Sequence, residues 1–144
     1  MADRRPVYVA HPLNAPTAAE REQNRARAAR WVAWLADRYL VAPVADWILL
    51  AGEWPETPER RAVGLEIDRR LVELCGTIVL VGRRVSDGMR FEASWARERV
   101  DLTGLADDAP SEEYLRALCG DVLAVEVLMA FDAKLAASGI GRVA

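Results

Sequence analysis

The stretch TIVLVGRRVSDGMRFEASWA, residues 77–96, decides how the chain folds. Residues 77–81 are a continuous apolar run of strand length, the pattern of a central strand covered on both faces. GRRVSDG (82–88) reads as a loop and MRFEASWARER (89–99) as a helix. A strand passing through a polar loop into a helix is half of a parallel βαβ unit.

The rest of the chain repeats that alternation. PVYVA (6–10) reads as a first strand, closed by His11-Pro12. Residues 18–38 carry Ala26, Ala29, Val32, Ala33 and Ala36 at helical spacing. YLVAPVA (39–45) reads as a second strand, and WILLAG (47–52) as one helical turn or the base of a lid. Thr57 fits as N-cap of a helix running to about Cys75, with Pro58 at its first position and Glu59 at the positive end of its dipole. VDLTGL (100–105) is a weaker fourth strand. A long helix spans about 111–137, and its apolar residues reach nearly all faces, so it is either wholly internal or packed on another subunit; the second suits so small a domain better. The pattern predicts an α/β, flavodoxin/Rossmann-like three-layer fold, with a mainly parallel sheet of four to five strands and a long C-terminal helix, in a single domain over 1–144.

Composition narrows the function. At 144 residues, 52% apolar and 28% charged, the chain has the make-up of one globular domain. The net charge is −3 and no basic stripe runs along the sequence, which argues against a nucleic acid polymer. No span approaches the roughly 20 apolar residues of a membrane helix, and MADRRPVYVA has no secretory core, so a cytoplasmic location is expected. Cys75, Cys119 and His11 make no metal-ligand spacing, and the cysteines read as buried thiols. Arginine supplies nearly every cation, which leaves small anionic ligands open.

Ligands of parallel α/β sheets bind beyond the carboxyl ends of the strands, which selects two loops, 11–17 and 82–88. In the second, Ser86 or Asp87 caps the following helix, and the same amides, with Gly88 and the cations Arg83, Arg84 and Arg90, suit an anion. Glu92 lies about one turn into that helix, beside Gly88, Met89, Trp95 and Ala96, so it faces the sheet. It is either paired with an arginine or a carboxylate able to stabilise or attack a sugar carbon. Asp68 also lies among apolar helix neighbours, Gly64, Leu65, Leu71 and Val72, and would serve as second acid unless Arg69 or Arg70 pairs it. Glu66 has charged company and reads as exposed. His11 reads as structural or ligand-positioning rather than as a proton carrier, and Trp47 and Trp54 as core, interface or stacking surface for a base.

Three blocks resemble the nucleoside 2-deoxyribosyltransferase-like superfamily, including its 2'-deoxynucleoside 5'-monophosphate N-glycosidases. They are Tyr8-Val9-Ala10 with its loop, Asp68 ahead of Cys75-Gly76, and Ser86-x-Gly88-x-x-x-Glu92-Ala93-x-x-Ala96, within a core of residues 6–105. The resemblance implies Glu92 as the catalytic carboxylate, Asp68 as the acid near the glycosidic bond and Tyr8 as the carboxylate's partner. It puts His11, Pro12 and Asn14, and Arg83, Arg84, Ser86, Asp87, Gly88 and Met89, on the substrate side. It implies a nucleoside or nucleotide as small-molecule partner, no cofactor or metal, and a homodimer or larger homo-oligomer. The first loop lacks the glycines usual in the glycosidases, and Gly82-Arg83-Arg84 stands where transferases carry an aspartate, which favours an anionic nucleotide. The expected activity is N-glycosidic cleavage or base exchange on nucleoside 5'-monophosphates; the alternative is a non-catalytic module binding a nucleotide or an ADP-ribose-type ligand.

Overall fold

A computed structural model describes residues 3–144. Four strands form one all-parallel sheet in the order β2-β1-β3-β4: β1 (Arg5–Ala10), β2 (Val41–Val44), β3 (Thr77–Leu80) and β4 (Glu98–Asp101). The helices are α1 (Ala18–Arg38), α2 (Asp46–Glu53), α3 (Pro58–Cys75), α4 (Asp87–Ala93) and α5 (Glu112–Ala136). The chain steps outward from β1 to β2, then crosses back to β3 and β4, so the order reverses between β1 and β3.

Side-chain alternation along β1 builds two cores. Val7 and Val9 pack with Trp31 and Leu35 of α1 and Phe131 and Leu135 of α5. Tyr8 and Ala10 pack on the other face with Val72 of α3 and Met89 and Ala93 of α4. The result is three layers, as the apolar runs predict.

Local chemistry fixes most boundaries. Thr17 and Thr57 accept the amides of Glu20 and Arg60 and start α1 and α3. Gly76, at φ +75°, ends α3 in the left-handed conformation that suits glycine. WILLAG is a full two-turn helix opened by Asp46, longer than the single turn expected. The helix predicted over 89–99 stops at Ala93, and the strand predicted over 100–105 occupies Glu98–Asp101. The amides of Arg97 and Glu98 both bond to the Gly76 carbonyl, which draws 97–98 into line with β3 and ends any helical continuation.

Helix α5 is broken by non-helical backbone at Gly120. It is not wholly internal to the chain: Leu115, Ala124, Leu128, Phe131 and Leu135 are buried, whereas Leu118, Val122, Leu123, Val125 and Met129 are between 49% and 74% exposed. No helix among the described residues is long and apolar enough to cross a membrane.

Phe131 anchors α5 to α1 through Trp31 and Trp34, at ring-centroid distances of 5.9 and 5.2 Å. Phe131→Ala is therefore expected to cost about 3–5 kcal/mol in chemical denaturation. Leu49→Ala, on the open side of α2, should stay within about 0.5 kcal/mol of the parent; equal effects would refute the packing described.

Candidate active site

Four side chains converge beside the carboxyl end of β1. Tyr8 comes from the strand itself and is fully buried. Asp46 is the first residue of α2, Asp68 lies on the inner side of α3, and Glu92 is near the end of α4; all three are partly buried. The Tyr8 hydroxyl, both Asp46 oxygens and one Asp68 oxygen are buried and complete no hydrogen bond of good geometry. No arginine or lysine is among the groups that set the ionisation of Asp46, Asp68 or Glu92. Arg69 instead bonds Glu73 at 2.9 Å, so the ion pair that would have made Asp68 ordinary is not with its neighbour.

The consequences are electrostatic. Burial first, then the negative charge of Asp46, raises Asp68 to about 7, with Tyr8 opposing. Burial also raises Glu92 to about 7; Tyr8 lowers it in part, and Asp68 and Asp46 raise it further. Asp46 itself is raised by burial, which its own amide and that of Trp47 offset in part. Tyr8 is held well above its ordinary range by burial and by Glu92 and Asp68. Two carboxyls with one range and one shared environment titrate as a pair. Near neutral pH such a pair holds about one proton, the condition for one acid and one carboxylate in the same site.

A cavity of about 430 Å³ opens next to this cluster. Its walls come from the loop after β1 (Leu13, Asn14), the start of α1 (Arg21, Arg25), α2 and its exit (Trp47, Leu50, Trp54), and one side of α3 (Arg60, Arg61, Gly64, Asp68). Asp68 is the one member of the four-residue cluster on that lining; Glu92, Tyr8 and Asp46 are not on it. Trp47 donates its indole N–H to the Val9 carbonyl at 3.0 Å and joins the core, while Trp54 lies on the cavity wall.

The two loops selected from the sequence have different fates. The first reaches the cavity through Asn14. His11 and Pro12 instead pack on Gly82, whose φ of +103° and distance of 2.9 Å from a hypothetical Cβ to the His11 ring leave room only for glycine. His11 is buried, its Nδ1 lies 2.7 Å from the Pro12 carbonyl, and burial lowers its pKa, all marks of a structural residue filling the β1/β3 crevice. In the second loop Ser86 is the N-cap: its hydroxyl accepts the Met89 amide at 3.2 Å. Met89 is buried core. Arg83 bonds Asp107 and Asp87 bonds Arg90, each at 3.1 Å, and Arg84 and Gly88 are exposed. None of these residues lines the cavity.

Sequence reading passed over Asp46 and the four cavity arginines, Arg21, Arg25, Arg60 and Arg61. A capless start to α2, where Ala45 precedes Asp46, was the one local hint of the first. Among the described residues no group of three or more His, Cys, Asp or Glu side chains is arranged to hold a metal ion. Cys75 and Cys119 are free and partly buried.

The molecule is thus a three-layer parallel α/β protein with a buried carboxyl cluster beside a cavity at its strand ends. Residues 5–101 match the family described as Domain of unknown function (DUF7768), and the chain belongs to that family. No match was found among curated proteins or among solved structures. The matched region contains all four strands and all four members of the cluster; α5 lies outside it.

Raised carboxyl pKa values carry a stability signature. Asp68 and Glu92 hold their protons more tightly folded than unfolded, so stability falls as pH rises from about 4 toward about 7, and the penalty is complete above that. Asp68→Asn and Glu92→Gln remove the titration. Relative to the parent, each variant should gain a few degrees in Tm at pH 8 over its standing at pH 4, about 2–4 °C per kcal/mol for a chain near this size. Thermal melts across pH test this, and parallel Tm profiles would refute it.

Proposed function

We propose that the protein cleaves or exchanges the N-glycosidic bond of a nucleoside 5'-monophosphate or a related nucleotide. The observation that carries this reading is the convergence of Asp68 and Glu92 on Tyr8, with no arginine or lysine among the groups that set their ionisation, beside a cavity of ligand size that has Asp68 on its wall.

In this mechanism Glu92 acts as carboxylate and protonated Asp68 as acid. As the bond from the anomeric carbon to the base nitrogen breaks, its electron pair passes to the base, which takes the proton of Asp68. Glu92 forms a bond to the anomeric carbon or stabilises the cation there. Water then attacks that carbon, returns a proton to Asp68 and frees Glu92; an incoming base in place of water gives exchange. Tyr8 orients Glu92, and Asp46 keeps Asp68 basic enough to carry its proton at neutral pH.

Glu92→Gln should lower base release from nucleoside 5'-monophosphates by at least ~10³-fold, since it removes the group at the reacting carbon, and Asp68→Asn by ~10²–10⁴-fold. Chromatography of free base measures both. The rate should peak near pH 7, lost below as Glu92 protonates and above as Asp68 ionises. Asp46→Asn removes a negative charge that raises both groups, so both limbs of the profile should move to lower pH. An unmoved profile would remove Asp46 from the mechanism.

The second reading is a module that binds a nucleotide or an ADP-ribose-type ligand without turnover. The position of Glu92 off the cavity lining favours it. Ligand binding with no free base, unchanged in Glu92→Gln, would decide for it.

We further propose that α5 pairs with a second copy of the chain. Val122, Val125 and Met129, on the part of α5 after the Gly120 break, are exposed and spaced three and four residues apart, the seam of a helix pair, and Leu118 is exposed ahead of the break. With Leu123 they present on the order of 500 Å² of apolar surface, at the upper end for a monomer. A self-complementary stripe suits a two-fold dimer. Val122→Glu with Met129→Glu should halve the mass seen by light scattering after size exclusion, and a parent that is already monomeric would refute the pairing.

A further inference from the structure

The sequence places the anion at the 82–88 loop, but most of the groups there are otherwise engaged, and Arg84 is off the cavity lining. The Ser86 hydroxyl caps α4, Arg83 and Arg90 hold carboxylates, and no residue of 82–90 lines the cavity. The cavity has its own cations. Arg25 is bonded to Glu22 and to the Ile48 carbonyl and lies over Gly52, where it fastens α2 to α1. The other three are less committed. Arg21 and Arg61 share one carboxylate, Glu56, at 3.5 and 2.7 Å. Arg60 has no carboxylate partner among the described residues and lies over the ring of Trp54, 4.7 Å from its centroid.

Three guanidiniums therefore face one carboxylate at this end of the cavity, leaving about two positive charges, the complement of a phosphate monoester near neutral pH. The face of α3 that lines the cavity runs Arg60, Arg61, Gly64, Leu65, Asp68, one step per helical turn. Arg60 and Arg61 are thus about two turns, roughly 11 Å, from Asp68 along the axis. Between them the wall is bare: a Cβ on Gly64 would meet nothing within 4 Å. The span is on the scale of a nucleoside monophosphate, and Trp54 offers a flat surface beside the cationic end.

We propose that Arg60 and Arg61, with Arg21, hold the phosphate of the nucleotide at the end of the cavity remote from Asp68, and that the 82–88 loop does not. The assignment rests on the glycosidase reading for placing the scissile bond at Asp68; the anion site itself is tested by binding alone.

The probes are the four common 2'-deoxynucleoside 5'-monophosphates and the matching nucleosides, titrated calorimetrically. The parent should bind at least one monophosphate at least tenfold more tightly than its nucleoside. Arg60→Gln with Arg61→Gln should abolish that preference, and Ser86→Ala with Arg84→Gln should keep it. In the unmodified protein, the monophosphate and not the nucleoside should slow phenylglyoxal modification of Arg60 and Arg61, read by peptide mass spectrometry, which needs no variant to fold. Protection confined to Arg83, Arg84 or Arg90, a preference lost only in the Ser86 and Arg84 variant, or no binding of any monophosphate would overturn the proposal. Binding with the expected arginine dependence but no base release would overturn the glycosidase reading and leave the phosphate site standing.

Discussion

Strand β1 is the constraint on which the rest of the structure turns. It is hydrogen-bonded to β2 on one side and β3 on the other, and every side chain from Val7 to Ala10 is buried. Because alternate residues feed opposite cores, a slip of one position would exchange the two sets and leave neither helix layer with a matching surface. The same alternation delivers Tyr8 to the α3/α4 face. Trp47 then ties α2 to the strand through the Val9 carbonyl. Asp46, one residue earlier, is carried into the neighbourhood of Tyr8 as a result. The carboxyl cluster is a product of sheet register before it is anything else.

Charge is sorted along α3 in a way the net composition hides. Its cavity side begins with two arginines, passes over a bare glycine and ends with an unpaired aspartate. A helix of this kind presents opposite poles two turns apart along one wall, with Leu13, Leu50 and Leu65 as apolar surface around them. In the 82–88 loop, by contrast, the serine caps α4 and Arg83 pairs with Asp107.

The sequence was most legible where a decision is local. Thr17 and the Thr57-Pro58 pair set helix starts through one hydroxyl each, and TIVLV can only be a central strand. Glu92 and Asp68 were traceable because each carries a carboxyl on a helix face that is otherwise apolar, whereas Tyr8 came only with the family resemblance. Legibility failed where the deciding contact is distant. The end of α4 depends on Gly76, about twenty residues away, so residues 94–97 read as more helix. Arg60 and Arg61 look like an ordinary solvated first turn until the fold sets them on a cavity wall shared with α1 and α2. In α5 the glycine at position 120 interrupts the helix and redirects its apolar stripe, which periodicity alone averages into a helix greasy on every side.

Polar matching differs between the two faces of the sheet, and the difference marks the site. On the α1/α5 side, Arg38 meets Asp132 through two nitrogens at 3.2 and 3.1 Å, and the Tyr39 hydroxyl adds 2.6 Å to the same carboxylate. Arg4 donates to the carbonyls of Ala36, Tyr39 and Val41, which closes the end of α1. The exceptions on that face are Trp31 Nε1 and one oxygen of Asp108, which has Arg27 at 3.4 Å as an ion-pair partner. On the other face Tyr8, Asp46 and Asp68 all leave buried oxygens without partners. Buried polar groups that go unmet are uncommon because each costs roughly 1–3 kcal/mol, and three together beside an open cavity are not accounted for by packing. Of these three residues only Asp68 stands on the cavity wall, while Tyr8 and Asp46 lie off it. The face of the sheet that is worst satisfied is thus the face on which the cavity opens.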